Sequence, residues 1–259
     1  MEITAQLVKE LRDRTGIGMM ECKKALTETG GDIEAAVEEL RKRGLAKAAA
    51  KADRETNEGA IKIETDGNTA YIVSVSCETD FLAKSDRYQE MLADVMQTLK
   101  DGKTAEDAKA LIDAQYSLEM GENLQVQHFS SFSGAAIGTY VHSTNKLASI
   151  VVAKTSVDTE KLKQVAMHVT AASPEYLTPS DIPENVIAKE KEIQLDIMKN
   201  DPKMTGKPEA VLLNIIEGKM GKYTSEISLL EQNFVINPDQ KVKDFIGADT
   251  LEAFYRFSI

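Results

Sequence analysis

The sequence has no tryptophan, two cysteines and three histidines among its 259 residues, and each shortage closes a class of explanation. Cys22 and Cys77 cannot build a disulfide framework, and neither stands in a paired metal-ligand spacing, so both are expected to be reduced and partly buried. His128, His142 and His168 lie at no ligand spacing from one another, and no metal site is expected. Long apolar runs are missing too. Stretches such as Leu147 to Ala153 are far too short to cross a bilayer, and the N-terminus carries no apolar signal segment, so a cytoplasmic protein without a membrane partner is expected. No phosphate-cradling glycine loop, nucleophile elbow or dinucleotide fingerprint occurs, which argues against bound cofactors and against an enzyme.

What is present is an ordinary globular composition, 42% hydrophobic and 28% charged, long enough for one large or two small domains plus an appendage. Charge is unevenly spread. Residues 1–54 hold 11 Lys/Arg and 10 Asp/Glu, net +1, which leaves net −12 for residues 55–259. An acidic body repels phosphate backbones, so nucleic acid is not expected as the main ligand, and a basic protein surface fits better.

The chain reads as an α+β protein. Residues 1–54 show three short helices and a basic linker: Thr4 caps the first and Gly16 ends it, the second stops near Gly30-Gly31, and Asp32 caps a third that Gly44 closes. The Ala-rich, basic residues 45–58 read as a solvated helical linker or, alternatively, an RNA-binding tract. Residues 55–133 form the first half of a core. Gly59 to Glu64 and Ala70 to Ser76 alternate as strands about an Asp66-Gly67-Asn68 turn, and a helix capped by Ser85 carries Tyr88, Met91, Leu92, Val95 and Leu99 on one face. Residues 134–183 repeat the pattern, with strands at Gly134–Val141 and Leu147–Ala153 and a helix from Asp158. Residues 184–222 read as an antiparallel helical hairpin turning at Asp201 to Pro208, and residues 223–259 return to strands that complete the second half of the core.

The stretch that stands apart is Cys77-Glu78-Thr79-Asp80-Phe81-Leu82, where an acid and a large ring follow a buried strand. Two readings compete. In one, Phe81 is an apolar wedge for a partner's pocket and Asp80 disturbs charge beside it; in the other, Asp80 caps the next helix and Phe81 tucks beneath it. The second copy has Ser156-Val157-Asp158 at the corresponding place, so only the first copy offers acid plus aromatic. Cys77 also admits a thiol-nucleophile reading, against a packing role.

Thr15-Gly16-Ile17-Gly18-Met19-Met20-Glu21-Cys22-Lys23-Lys24-Ala25-Leu26 and Cys77-Glu78-Thr79-Asp80-Phe81-Leu82-Ala83-Lys84 resemble the two signatures of bacterial translation elongation factor Ts. Ala166-Met167-His168-Val169, Gln194-Leu195-Asp196 and Phe234-Val235 extend the resemblance over almost the whole chain. It implies an N-terminal module like a ubiquitin-associated domain, a two-subdomain core and an inserted antiparallel coiled-coil hairpin. It also implies a guanine-nucleotide exchange factor for elongation factor Tu, with Thr79, Asp80, Phe81 and Leu82 dislodging the GTPase's magnesium. Arg12, Met19, Met20 and His142 match further family contacts with the partner. Leu82 and Ile17 depart mildly from the family pattern, and the ending at Phe257-Ser258-Ile259 omits a further C-terminal helix that longer members carry. A rival reading is a non-catalytic adaptor that captures a polypeptide through the three-helix module.

Overall fold

The computed structural model describes residues 3–201 and 209–259. The turn expected across Asp201 to Pro208 therefore lies, after Asp201, outside the described residues. The fold is α+β and divides into two compact units, one made of Met1–Phe132, Val141–Ala148 and Phe257–Ile259, the other of Ser133–Tyr140 and Ser149–Arg256. Among the described residues no helix is long and apolar enough to cross a membrane.

The first unit opens with three helices, α1 (Ala5–Thr15), α2 (Met19–Glu28) and α3 (Ile33–Ala49). Thr4 and Asp32 cap α1 and α3 through their side chains, accepting from the amides of Leu7 and Ala35, and Gly16 ends α1 in the left-handed region that a residue without Cβ enters cheaply. Gly44 does not close α3. The helix runs on to Ala49 because Gly44 is buried where α3 meets the next layer, and a Cβ there would lie 2.5 Å from the carbonyl oxygen of Asp113. Alanines favour continuing the helix beyond it, and the close approach offsets the intrinsic cost of a mid-helix glycine. Val8, Leu11, Ile17, Cys22, Leu26 and Leu40 form the module's core, which Leu118 completes from outside the three helices.

Strands β1 (Glu58–Asp66) and β2 (Thr69–Cys77) follow as an antiparallel pair in unbroken register from Glu58 opposite Cys77 to Asp66 opposite Thr69. After the single turn α4 (Asp80–Ala83) come α5 (Asp86–Lys100), α6 (Ala105–Gln115), the short α7 (Ser117–Met120) and strand β3 (Gln125–Ser133), which lies beside β2 in the order β1-β2-β3. Val73, Val75 and Cys77 from β2 pack on Tyr88, Met91, Leu92, Val95 and Met96 of α5, the face that the helical spacing marks.

In the second unit, β4 (Ala136–Val141), β5 (Leu147–Ala153) and helix α8 (Thr159–Ala172) recur in the same order as β1, β2 and α5. Helices α9 (Glu184–Lys199) and α10 (Glu209–Ile227) pack against each other, and α10 runs past residue 222, where the sequence reading ends the hairpin. The pair β6 (Asn233–Phe234) and β7 (Asn237–Lys241), helix α11 (Val242–Ile246) and β8 (Leu251–Ser258) close the chain, with sheet order β4-β5-β8. The core of this unit is Val151, Leu162, Val165, Val169, Leu229, Phe234, Val242 and Leu251 with their neighbours.

Residues Phe257–Ile259 belong to the first unit. The amide of Ile259 donates to the Lys146 carbonyl at 3.0 Å, and the Phe257 ring meets the His128 ring edge-on at 5.1 Å.

Candidate functional site

Strand β2 is buried from Ile72 to Cys77 and delivers the chain to the surface at Glu78. Beyond that point an unusual density of hydrogen bonds holds the backbone. The Thr79 hydroxyl caps α4, accepting from the Leu82 amide at 3.3 Å. The capping residue is thus Thr79, where one sequence reading placed Asp80; its shorter side chain, in an extended conformation before the first turn, reaches the N3 amide. Glu122 accepts from the amides of Glu78 and Thr79 at 2.8 and 2.9 Å and from the Thr79 hydroxyl at 2.5 Å. Glu78 in turn accepts from the Asn123 amide at 2.8 Å and faces Arg54; the Asn123 bond first, then Arg54, hold its carboxyl below the usual range. Ser85 donates to the Leu82 carbonyl at 2.8 Å and caps α5 by accepting from Tyr88.

Within this frame Phe81 does not tuck under the helix. It is 84% exposed, the most open of the large apolar side chains among the described residues. Leu82 is half-buried against the β2–α5 core. Asp80 points to solvent and accepts from Lys84 at 2.6 Å, a bond that lowers its pKa. A ring with so little cover costs apolar surface in water, and the residues on either side of it, Thr79 and Leu82, are held by hydrogen bonds. The arrangement can present an apolar body and a carboxylate side by side with little ordering left to do on binding.

A cleft of about 370 Å³ beside α4 is lined by Asp80, Ala83 and Lys84 on one side and by Glu58, Asn145 and Lys146 on others. The turn between β4 and β5 thus sits next to α4 within the first unit. It is anchored there by Asn145, whose carbonyl accepts from the Ile61 amide at 2.7 Å, and by an ion pair between Lys146 and Glu58 at 2.5 Å. His142, half-buried at the start of that turn, donates its amide to the Leu147 carbonyl, and its own carbonyl accepts from the Asn145 amide, both at 2.8 Å. Asn145 holds the left-handed conformation the turn requires, at φ 57°.

Arg12, Met19 and Met20 occupy the three-helix module instead. Arg12 is exposed on α1, and Met19 and Met20 are 44% and 79% exposed at the start of α2. The α1–α2 turn beside them packs on α5: a Cβ on Gly16 would meet the Arg87 guanidinium at 2.2 Å. Arg87 pairs with Glu90 and Glu119 at 2.9 Å and stacks over Tyr116.

Cys77 is fully buried, donates to the Thr79 carbonyl at 3.2 Å, and has its pKa pushed up to about 12, by burial first. A thiol in that state supplies almost no thiolate near neutrality, which overturns the nucleophile reading. Among the described residues no cluster of three His, Cys, Asp or Glu side chains is placed to hold a metal ion. The sequence reading missed Glu122 altogether. It lies 43 residues from Thr79, and no local pattern singles it out.

A family model described as "Elongation factor TS" matches residues 78–259 of the chain. Among curated proteins, "Elongation factor Ts" of Spiroplasma citri is 42% identical to it, the match covering 97% of this chain and 90% of that one. "Elongation factor Ts" of Salmonella typhimurium and of Salmonella typhi are each 40% identical, with 100% of this chain and 92% of theirs covered.

Proposed function

The chain belongs to the elongation factor Ts family, the translation elongation factors of that name, and from this premise we propose that it is the guanine-nucleotide exchange factor of elongation factor Tu. In this reading it binds the GTPase and promotes GDP release by disturbing the magnesium and nucleotide site, without holding nucleotide or metal itself. The observation that carries the reading is the 84% exposure of Phe81 on a turn whose entry is held by Glu122, which accepts from the Glu78 and Thr79 amides.

The physical steps are limited by linkage: a protein that weakens GDP binding is itself weakened by GDP to the same degree. Burial of Phe81 in the partner supplies roughly 1.5–3 kcal/mol, about one to two orders of magnitude in an equilibrium constant. One ring is therefore insufficient. Met19 and Met20, which expose apolar surface on the module, and the turn bearing His142 supply further hold, while Asp80 acts on the charge around the magnesium. The test is stopped-flow release of a fluorescent GDP analogue from elongation factor Tu. Phe81→Ala is expected to slow the accelerated release about tenfold or more, and Asp80→Ala to slow it as well; unchanged rates for both overturn the reading.

The adaptor reading has less support. It makes the core a scaffold only, and so gives no role to Phe81, which lies outside residues 1–54 and is 84% exposed.

A further inference from the structure

We infer that Glu122 is the positioning residue that keeps the Thr79–Leu82 turn in the form that presents Phe81, and that the exchange rate depends on it through that turn alone. The inference rests on the function proposed above. The geometry that carries it is a reciprocal clasp between two segments remote in sequence. The Glu122 carboxylate takes three donors from the turn, the amides of Glu78 and Thr79 and the Thr79 hydroxyl, at 2.8, 2.9 and 2.5 Å. The Glu78 carboxylate takes the amide of Asn123 in return at 2.8 Å.

Each bond has a definite consequence. A carboxylate accepting two successive amides fixes the peptide planes on either side of Glu78, and hence the direction in which the chain leaves β2. The Thr79 hydroxyl has one proton. By giving it to Glu122 it presents its lone pairs to the Leu82 amide, which is the cap that starts α4. Phe81 is the second residue of that single turn, so its outward direction is set by a cap that Glu122 orients. A helix of four residues has no stability of its own, so its conformation derives from these outside bonds. The segment carrying Glu122 is itself braced: the Asn123 side-chain amide donates to the carbonyls of Ala52 and Arg54 at 3.2 and 2.7 Å, and Lys51 donates to the Gly121 carbonyl.

The experiment measures fluorescent GDP release from elongation factor Tu against concentration of the full chain for Phe81→Ala, Glu122→Ala, Glu122→Gln and the Phe81→Ala/Glu122→Ala pair. It separates the plateau rate from the half-saturating concentration, and amide hydrogen exchange at Glu78 and Thr79 is measured in the free proteins. Glu122→Ala is expected to lower the plateau rate about tenfold, as loss of a charge-assisted hydrogen-bond set does, with Glu122→Gln falling in between because one accepting oxygen remains. The half-saturating concentration should move less than the plateau, which a general loss of folding would not produce. The double variant should be no slower than Phe81→Ala alone, because removing the ring removes what Glu122 positions. Amide exchange should quicken in both Glu122 variants and stay slow in Phe81→Ala. Should Glu122→Ala fail to fold, Glu122→Gln alone decides on the same criteria. A full-rate Glu122 variant beside a slowed Phe81→Ala overturns the inference and leaves the function standing, and so do losses that multiply in the double variant. A full rate for both Phe81→Ala and Asp80→Ala overturns the function and the inference with it.

Discussion

Phe81 gives little of its ring to its own fold, which makes it a clean probe. Phe81→Ala should leave the unfolding free energy within about 0.5 kcal/mol of the parent while slowing exchange, a separation of function from stability that calorimetry beside stopped-flow would check. His168 has the opposite placement. It is fully buried, accepts the Val235 amide on Nδ1 at 3.2 Å and bonds Gln232 Oε1 through Nε2 at 2.8 Å, so the neutral ring with its proton on Nε2 satisfies both partners. Burial lowers its pKa from 6.5, with the Gln232 bond acting weakly the other way. The unfolded chain therefore takes up a proton at a pH where the folded one resists it. The stability His168 contributes is complete above about pH 6.5 and is lost as the pH falls through the lower, folded-state value. Urea midpoints at about pH 7.5 and about pH 5 should show the decline, and His168→Gln should flatten it. The acid and the ring were legible in the sequence because they are adjacent. Glu122 was not, because its bonds close only when the chain returns 43 residues later.

Among the elements, those with a strong period were the most legible. The face of α5 emerges in the structure as read, since one side of the helix meets a core, and β1 and β2 pair as read, with β2 buried on both faces from Ile72 to Cys77. Strand β3 left no comparable trace: none of its residues is fully buried, so its place beside β2 is set by backbone bonding and by side-chain bonds such as Gln127 to Ser76 at 2.9 Å, with no apolar alternation to mark it. Gly44 misled for a related reason. A glycine that permits helix crossing looks, in one dimension, like a glycine that ends a helix. The distinction is testable: Gly44→Ala places a methyl 2.5 Å from the Asp113 carbonyl oxygen. Overpacking of about 1–3 kcal/mol should outweigh the roughly 1 kcal/mol that alanine gains in helix propensity. Calorimetry should record a lower melting temperature; a rise would show that α3 and α6 separate freely.

For the molecule as a whole, the module formed by residues 1–54 is a layer of the first unit. Removing it should uncover Leu118 and the α6 surface under Gly44, so the remaining chain is expected to melt earlier and to bind more of a hydrophobic dye than the full chain does. The acidic excess of residues 55–259, in contrast, was plain from composition. The chain passes between the two units at residues 132–133, 140–141, 148–149 and 256–257. That lacing has a consequence for biosynthesis. The unit that begins with α1 is finished only by Phe257–Ile259, through the Ile259 bond to Lys146 and the Phe257 contact with His128. A nascent chain emerging vectorially makes those two contacts last, after the residues of the second unit have left the exit tunnel, so an interrupted product lacks them.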